Sequence, residues 1–191
     1  MAAPAQADKL LLDGEALRRT IARIAHEIVE RNPDLDRTAL VGIHTRGVPV
    51  AQRIRRLIEE FTEREIALGT LDITFHRDDV HVRGGDAPLH PQPVVRATRL
   101  DFPLEGMTCV LCDDVLFTGR TIRAAIDALF DYGRPSRVQL AVLADRGHRE
   151  LPIRPDYVGK NLPTAREERV NVRVEELDGV DEVAIAEVAH A

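Results

Sequence analysis

The chain has 191 residues, 44% of them hydrophobic and 30% charged, which suits one domain with a sizeable core and is too short for two. That balance excludes a disordered tail, and no apolar run approaches the roughly 18 residues of a membrane span. With 26 Lys and Arg against 32 Asp and Glu, the net charge of −6 argues against non-specific nucleic-acid binding, which rests on clustered positive charge.

The opening Met-Ala-Ala-Pro has no basic stretch followed by an apolar one, so a signal peptide is not expected. Leu17, Ile21, Ile24 and Ile28 recur at helical spacing and predict an amphipathic helix over 14–31, ended by Asn32-Pro33. Ala39 to His44 reads as a short buried parallel strand, and Thr45-Arg46-Gly47 turns into a second helix with Ile54, Leu57, Ile58 and Phe61 inward. Leu71, Ile73 and Phe75 alternate as in a strand. Residues 78–98 are rich in breakers, and a loop this long is functional or disordered; it reads as a mobile lid or arm rather than plain disorder, a flexible loop over about 76–99.

A strand ending at Val110 to Cys112 precedes a helix from Thr121 to Asp131, and Val138 to Ala144 is another buried strand. The two cysteines, Cys109 and Cys112, exclude a disulfide framework and fit a reducing cytoplasm. Three apart on a strand, they face opposite sides and cannot share a metal. Val170, Val172 and Val174 alternate, Asp178-Gly179 turns, and Val183 and Ile185 alternate back, which predicts a C-terminal hairpin. Repeated switching between helix and strand periods makes the chain α/β, a single domain over 1–191.

The chemistry concentrates in Asp113-Asp114-Val115-Leu116-Phe117-Thr118-Gly119-Arg120-Thr121. A buried strand brings two carboxylates to the edge where open α/β sheets bind ligands. Gly119 lets backbone amides approach an anion, Thr118 and Thr121 add hydroxyls, and the helix N-terminus favours negative charge. Asp113 and Asp114 are acceptors and cannot hold phosphate themselves; they suit sugar hydroxyls, or water on a divalent cation. The loop is shaped for a sugar phosphate. Neither the P-loop pattern nor a spaced-glycine dinucleotide fingerprint occurs.

This stretch resembles the phosphoribosyl-pyrophosphate (PRPP) signature of the type I phosphoribosyltransferases. The resemblance implies their fold: a central, mostly parallel sheet flanked by helices, a flexible loop, and a small C-terminal β hairpin or hood. It assigns Thr118, Gly119, Arg120 and Thr121 to the 5′-phosphate and Asp113 and Asp114 to the ribose hydroxyls, with Val115, Leu116 and Phe117 along the substrate. Thr45, Arg46 and Gly47 match the pyrophosphate loop, where family members often carry a cis peptide, and Asp113, Asp114 and Arg46 are the catalytic candidates. Arg77, Arg96 and Arg99 at the ends of the long loop are candidates to reach pyrophosphate, and Arg146 to contact the base. Mg²⁺ would be bound mainly through PRPP, with water linking it to Asp113 and Asp114.

Outside the motif, Arg23-Ile24-Ala25-His26-Glu27-Ile28, Asp145-Arg146-Gly147-His148-Arg149-Glu150-Leu151-Pro152-Ile153-Arg154 and Val158-Gly159-Lys160-Asn161 resemble the PyrR group, over roughly residues 10 to 188. These are cytoplasmic uracil phosphoribosyltransferases that also regulate pyrimidine genes. The resemblance implies uracil and PRPP as substrates, UMP and UTP as ligands, the pyr mRNA leader as partner, and dimers that can pair into tetramers. Arg19, Arg23, His26, Arg149, Arg154, Lys160 and Arg166 are its RNA-contact candidates. Their setting fits: residues 134–173 hold nine basic and five acidic side chains, a local +4 against −10 elsewhere. Two departures stand out, Ala22 where many members have threonine and a longer, proline-rich loop at 83–93. The alternative reading is an RNA-binding regulator that keeps a vestigial PRPP site as a nucleotide sensor.

Overall fold

The computed structural model describes residues 9–76 and 96–187. A five-stranded parallel sheet is built from β2 (Thr38–Ile43), β3 (Ala67–Leu71), β4 (Thr108–Leu116), β5 (Arg137–Asp145) and β6 (Tyr157–Asn161), in the order β3-β2-β4-β5-β6. A separate antiparallel sheet, β1-β8-β7, joins β1 (Lys9–Leu12) to β7 (Glu168–Arg173) and β8 (Glu182–Glu187). The expected C-terminal hairpin is therefore present, with an N-terminal strand added to it. A one-turn helix, α4 (Glu175–Asp178), replaces a simple turn and closes on Gly179 in the left-handed region.

Three longer helices cover the parallel sheet: α1 (Gly14–Arg31), α2 (Gly47–Thr62) and α3 (Arg120–Phe130). Helix α1 starts at Asp13, whose carboxylate accepts the Ala16 amide at 2.8 Å, and buries the expected Leu17, Ile21, Ile24 and Ile28. It stops at Asn32, whose side chain donates to Ile28 O, Gln139 and the Tyr157 hydroxyl in a buried polar knot.

Strand alternation divides the core in two. Leu40, Val110, Cys112, Ala141 and Leu143 face α1 and α2, whereas Val41, Cys109, Leu111, Leu140 and Val142 face α3. The cysteines therefore face opposite sides, as their spacing predicts. Burial pushes the Cys109 thiol up to about 11; burial and the adjacent Asp113 push Cys112 up to about 12. Neither is a thiolate at neutral pH.

Two boundaries differ from the expected ones. Strand β3 ends at Leu71, because the Asp72 carboxylate accepts the Thr74 amide at 2.9 Å and its hydroxyl at 2.5 Å, and this local turn outcompetes the ladder. Ile73 stays buried, but Phe75 is 81% exposed. Strand β4 runs past Cys112 to Leu116 because β5 is long enough to pair with it, Asp113 opposite Val142 and Leu116 opposite Asp145. The two aspartates thus belong to the strand, and α3 begins one residue early, at Arg120.

The hood is tied to α2 by Arg53, which donates to Glu176 at 2.6 and 2.8 Å and to Asp181 at 2.8 and 3.0 Å. Its hydrogen bonds hold the Glu176 carboxyl low; for Asp181, burial pushes upward but Arg53 outweighs it. Depressed carboxyl values add stability that is present above the unfolded values near 4 and lost as pH falls through the folded ones. Arg53→Met is expected to cost about 3 kcal/mol at pH 7. It should also flatten the acid limb of stability, which denaturant titrations at pH 7 and pH 3 would check.

Candidate active site

The parallel register brings β2 and β4 to the same edge of the sheet, Gly42 opposite Cys112. The turn after β2 then lies against β4. A Cβ on Gly47 would come within 2.1 Å of the Cys112 carbonyl oxygen, so only glycine allows this approach. The peptide between His44 and Thr45 is cis.

A cavity of about 240 Å³ results, lined by His44, Thr45 and Arg46 from this turn, Ile73, Asp113, Asp114 and Val115 from β4, and Thr121 from α3. Asp113 is buried, and the carboxylates are turned by local bonds: Asp113 accepts the Asp114 amide at 3.0 Å and Asp114 accepts the Val115 amide at 2.9 Å. Gly119, at φ +94°, ends the loop before α3, whose first amides have no partner within the helix. The cavity combines cationic, acidic and hydroxyl groups around one space, an arrangement for a ligand that carries both phosphate and sugar.

Arg46 does not stand free. Its Nε and Nη2 bond Asp178 of α4 at 3.2 and 2.7 Å, an ion pair that raises the arginine and lowers the carboxyl. Asp178 lies 132 residues away, and no local pattern marks it beyond a turn next to Gly179. Arg96 comes to the site and donates to the Thr45 hydroxyl, while its amide bonds Asp72. Arg99 instead pairs through its backbone with Thr70, both bonds 2.9 Å, and closes the outer edge of β3. Arg77, the 83–93 loop and most of the expected flexible loop lie outside the described residues.

Arg146 is neither a surface ion pair nor open to the cavity. It is 8% exposed, lies 4.0 Å from the Phe117 ring centroid, and donates to the carbonyls of Ala165, Arg166 and Glu168. Burial lowers its affinity for the proton, with Glu168 opposing, and its Nε has no partner. Arg149 is similarly committed: it bonds Phe117 O at 2.7 Å, Ile153 O at 2.9 Å and Asp145 at 2.5 Å. The amides of Glu150 and Leu151 donate to Thr118 O, and Glu150 pairs with Arg120 at 2.8 Å and Arg166 at 3.4 Å. The 146–155 segment is thereby fastened to the loop between β4 and α3.

Of the remaining cations, Arg19 pairs with Glu15, and Arg23 bonds Glu27 as well as the Val158 and Gly159 carbonyls. His26 stacks on Phe61 at 4.1 Å. Arg154 and Lys160 are exposed and make no ion pair or hydrogen bond through their side chains among the described residues.

A family model for the phosphoribosyl transferase domain matches residues 9–177. The chain is 57% identical over 179 residues to the bifunctional protein PyrR of Roseiflexus sp. (strain RS-1), covering 93% of this chain and 94% of that one. The chain belongs to the PyrR family. PyrR of Thermus aquaticus is also 57% identical, over 177 residues, and PyrR of Clostridioides difficile 53%, each covering 93% of this chain and 94% and 97% of its own. Among solved structures, the hypoxanthine phosphoribosyltransferases of Trypanosoma cruzi and Staphylococcus aureus match with TM-scores of 0.68 and 0.67. At 17% and 15% identity, covering 94% and 92% of this chain and 96% and 90% of theirs, they establish the shared type I fold.

Gly47→Ala is expected to push the 45–47 turn off β4 and lower stability by about 2 kcal/mol, measurable as a reduced denaturation midpoint with an unchanged slope.

Proposed function

We infer that this chain transfers a phosphoribosyl group from PRPP to uracil, giving UMP and pyrophosphate, and that it also binds pyr leader RNA under the control of uridine nucleotides. The observation that carries the first half is the single cavity joining Thr45 and Arg46 to Asp113, Asp114 and Thr121. Family membership and the PyrR resemblance support the second half, the choice of uracil and a cytoplasmic setting. No helix among the described residues is long and apolar enough to cross a membrane.

In this reading, Thr118, Thr121 and the α3 amides hold the 5′-phosphate, and Gly119 lets the backbone reach it. Asp113 and Asp114 accept the ribose hydroxyls and favour the positive charge that develops on the ring as the C1–oxygen bond breaks. Arg46 and Thr45 receive the departing pyrophosphate, with Arg96 beside Thr45. The uracil nitrogen attacks C1 from the opposite face. Arg146 acts on the base through the segment it braces at Ala165 to Glu168.

Magnesium fits these residues. Asp113 and Asp114 line a polar space beside the diphosphate turn, and Mg²⁺ takes one or two carboxylates together with substrate phosphates and waters. Among the described residues no group of three or more His, Cys, Asp or Glu side chains forms a metal cage. When bound, the ion neutralises charge on the leaving pyrophosphate.

Regulation has a physical route. The loop proposed for the 5′-phosphate carries carbonyls that accept from Arg149, Glu150 and Leu151, so a nucleotide that orders the loop also orders the 146–155 segment beside Arg154 and Lys160.

With uracil, PRPP and Mg²⁺ the protein is expected to form UMP, and with hypoxanthine or orotate in place of uracil to form little product. Asp114→Asn should lower kcat/KM by about 100-fold without unfolding the chain. Absence of UMP at saturating substrate would favour the sensor reading instead. For the RNA half, leader RNA should bind more tightly than a scrambled control, more so with UMP, and binding should weaken as salt rises.

A further inference from the structure

A second cavity, of about 670 Å³, shares no lining residue with the candidate active site. It is lined by the 146–155 segment together with residues of β5, β6 and the turn after β6; Ile153 and Val158 pack on the α3 half of the core and Leu162 on the other. Its apolar walls are Ile153, Pro155, Val158, Leu162 and Pro163, and its polar groups include Asn161, Arg154 and Arg146.

Three features distinguish it from an ordinary surface hollow. The Arg146 Nε is buried and unpartnered in a side chain more than nine-tenths buried. Asn161, exposed and on the lining, makes no side-chain hydrogen bond among the described residues, so its carboxamide donor and acceptor are both available. The Arg154 guanidinium on the lining and the neighbouring Lys160 ammonium are exposed without ion pairs among the described residues, in a chain whose net charge is −6.

Apolar proline and aliphatic walls, one free carboxamide and adjacent cations without ion pairs among the described residues match the needs of a nucleobase with its flanking phosphates. Sequence-specific RNA recognition works largely by receiving unstacked bases in such places. We propose that this cavity receives one unpaired base of the bound RNA: the base lies between the proline and aliphatic walls, Asn161 reads its edge, and Arg154 and Lys160 hold the neighbouring phosphates. The inference rests on the RNA-binding half of the function above and names a subsite for it. It also gives the 146–155 segment a double duty, since the segment that lines the cavity through Arg149, Ile153, Arg154 and Pro155 is hydrogen-bonded to Phe117 and Thr118 through Arg149, Glu150 and Leu151.

The test uses the full chain and its pyr leader RNA, with each unpaired nucleotide replaced in turn by an abasic one. In the wild type, one position is expected to stand out with about a tenfold loss of affinity. Asn161→Ala should bind intact RNA about tenfold more weakly, be insensitive to the abasic change at that same position, and make UMP at the wild-type rate. Val158→Phe, which fills the cavity, should reproduce that pattern. If the abasic losses in both variants equal those of the wild type, the base subsite is wrong while RNA binding stands. If the wild type binds leader RNA no better than a scrambled control, the RNA half fails and the subsite falls with it.

Discussion

The close contact between Gly47 and the Cys112 carbonyl is the constraint on which the site depends. Parallel pairing ends β2 and β4 in step, but pairing alone would leave the two following loops a side chain apart. Removing one Cβ lets the backbone of the 45–47 turn rest on β4 immediately before the paired aspartates. Opposite charges then share one small space, with Arg46 and Asp114 on its wall. Arg46 is anchored from the far side by Asp178, so the cavity edge and the hood are joined by an ion pair.

A similar economy operates on the other side of β4. The carbonyls of the loop after Leu116 are held by the Glu150 and Leu151 amides and by the Arg149 side chain. Arg149 bonds three different stretches at once, which explains why a basic residue in a surface-like segment is mostly buried. Arg146, stacked on Phe117 and bonded to the 165–168 turn, carries the same framework toward β7. The segment behaves as a splint between the loop that follows β4 and the edge of the sheet.

The parts of this architecture that follow local rules were legible in the sequence. Helix α1 has its apolar stripe and its Asp13 cap, the opposite facing of Cys109 and Cys112 follows from strand geometry, and the aspartate–threonine loop carries its own chemistry. What escaped is set by partners distant in the chain. Ile73 and Phe75 alternate like strand residues, yet Asp72 turns the chain there with help from the Arg96 amide. The length of β4 depends on β5, and the partner of Arg46 lies in the one-turn helix α4. Tyr157–Asn161 is a strand because β5 offers it an edge, and its mixed composition gives little period to read. The resemblance supplied the roles of site residues that periodicity could not assign.

Strand β6 is the outer strand on its side of the sheet, and outer strands offer unpaired backbone to any passing chain. Neighbouring carbonyls of a strand point to opposite sides, so of Val158 and Gly159 one faces outward. Arg23 takes both, reaching across from α1. This guanidinium is thus a stopper on an open seam as much as a surface cation. A polyanion that draws it away uncovers the seam only while lying over it. Truncating Arg23 removes the stopper in the free molecule as well, leaving the seam available to the strand of another copy.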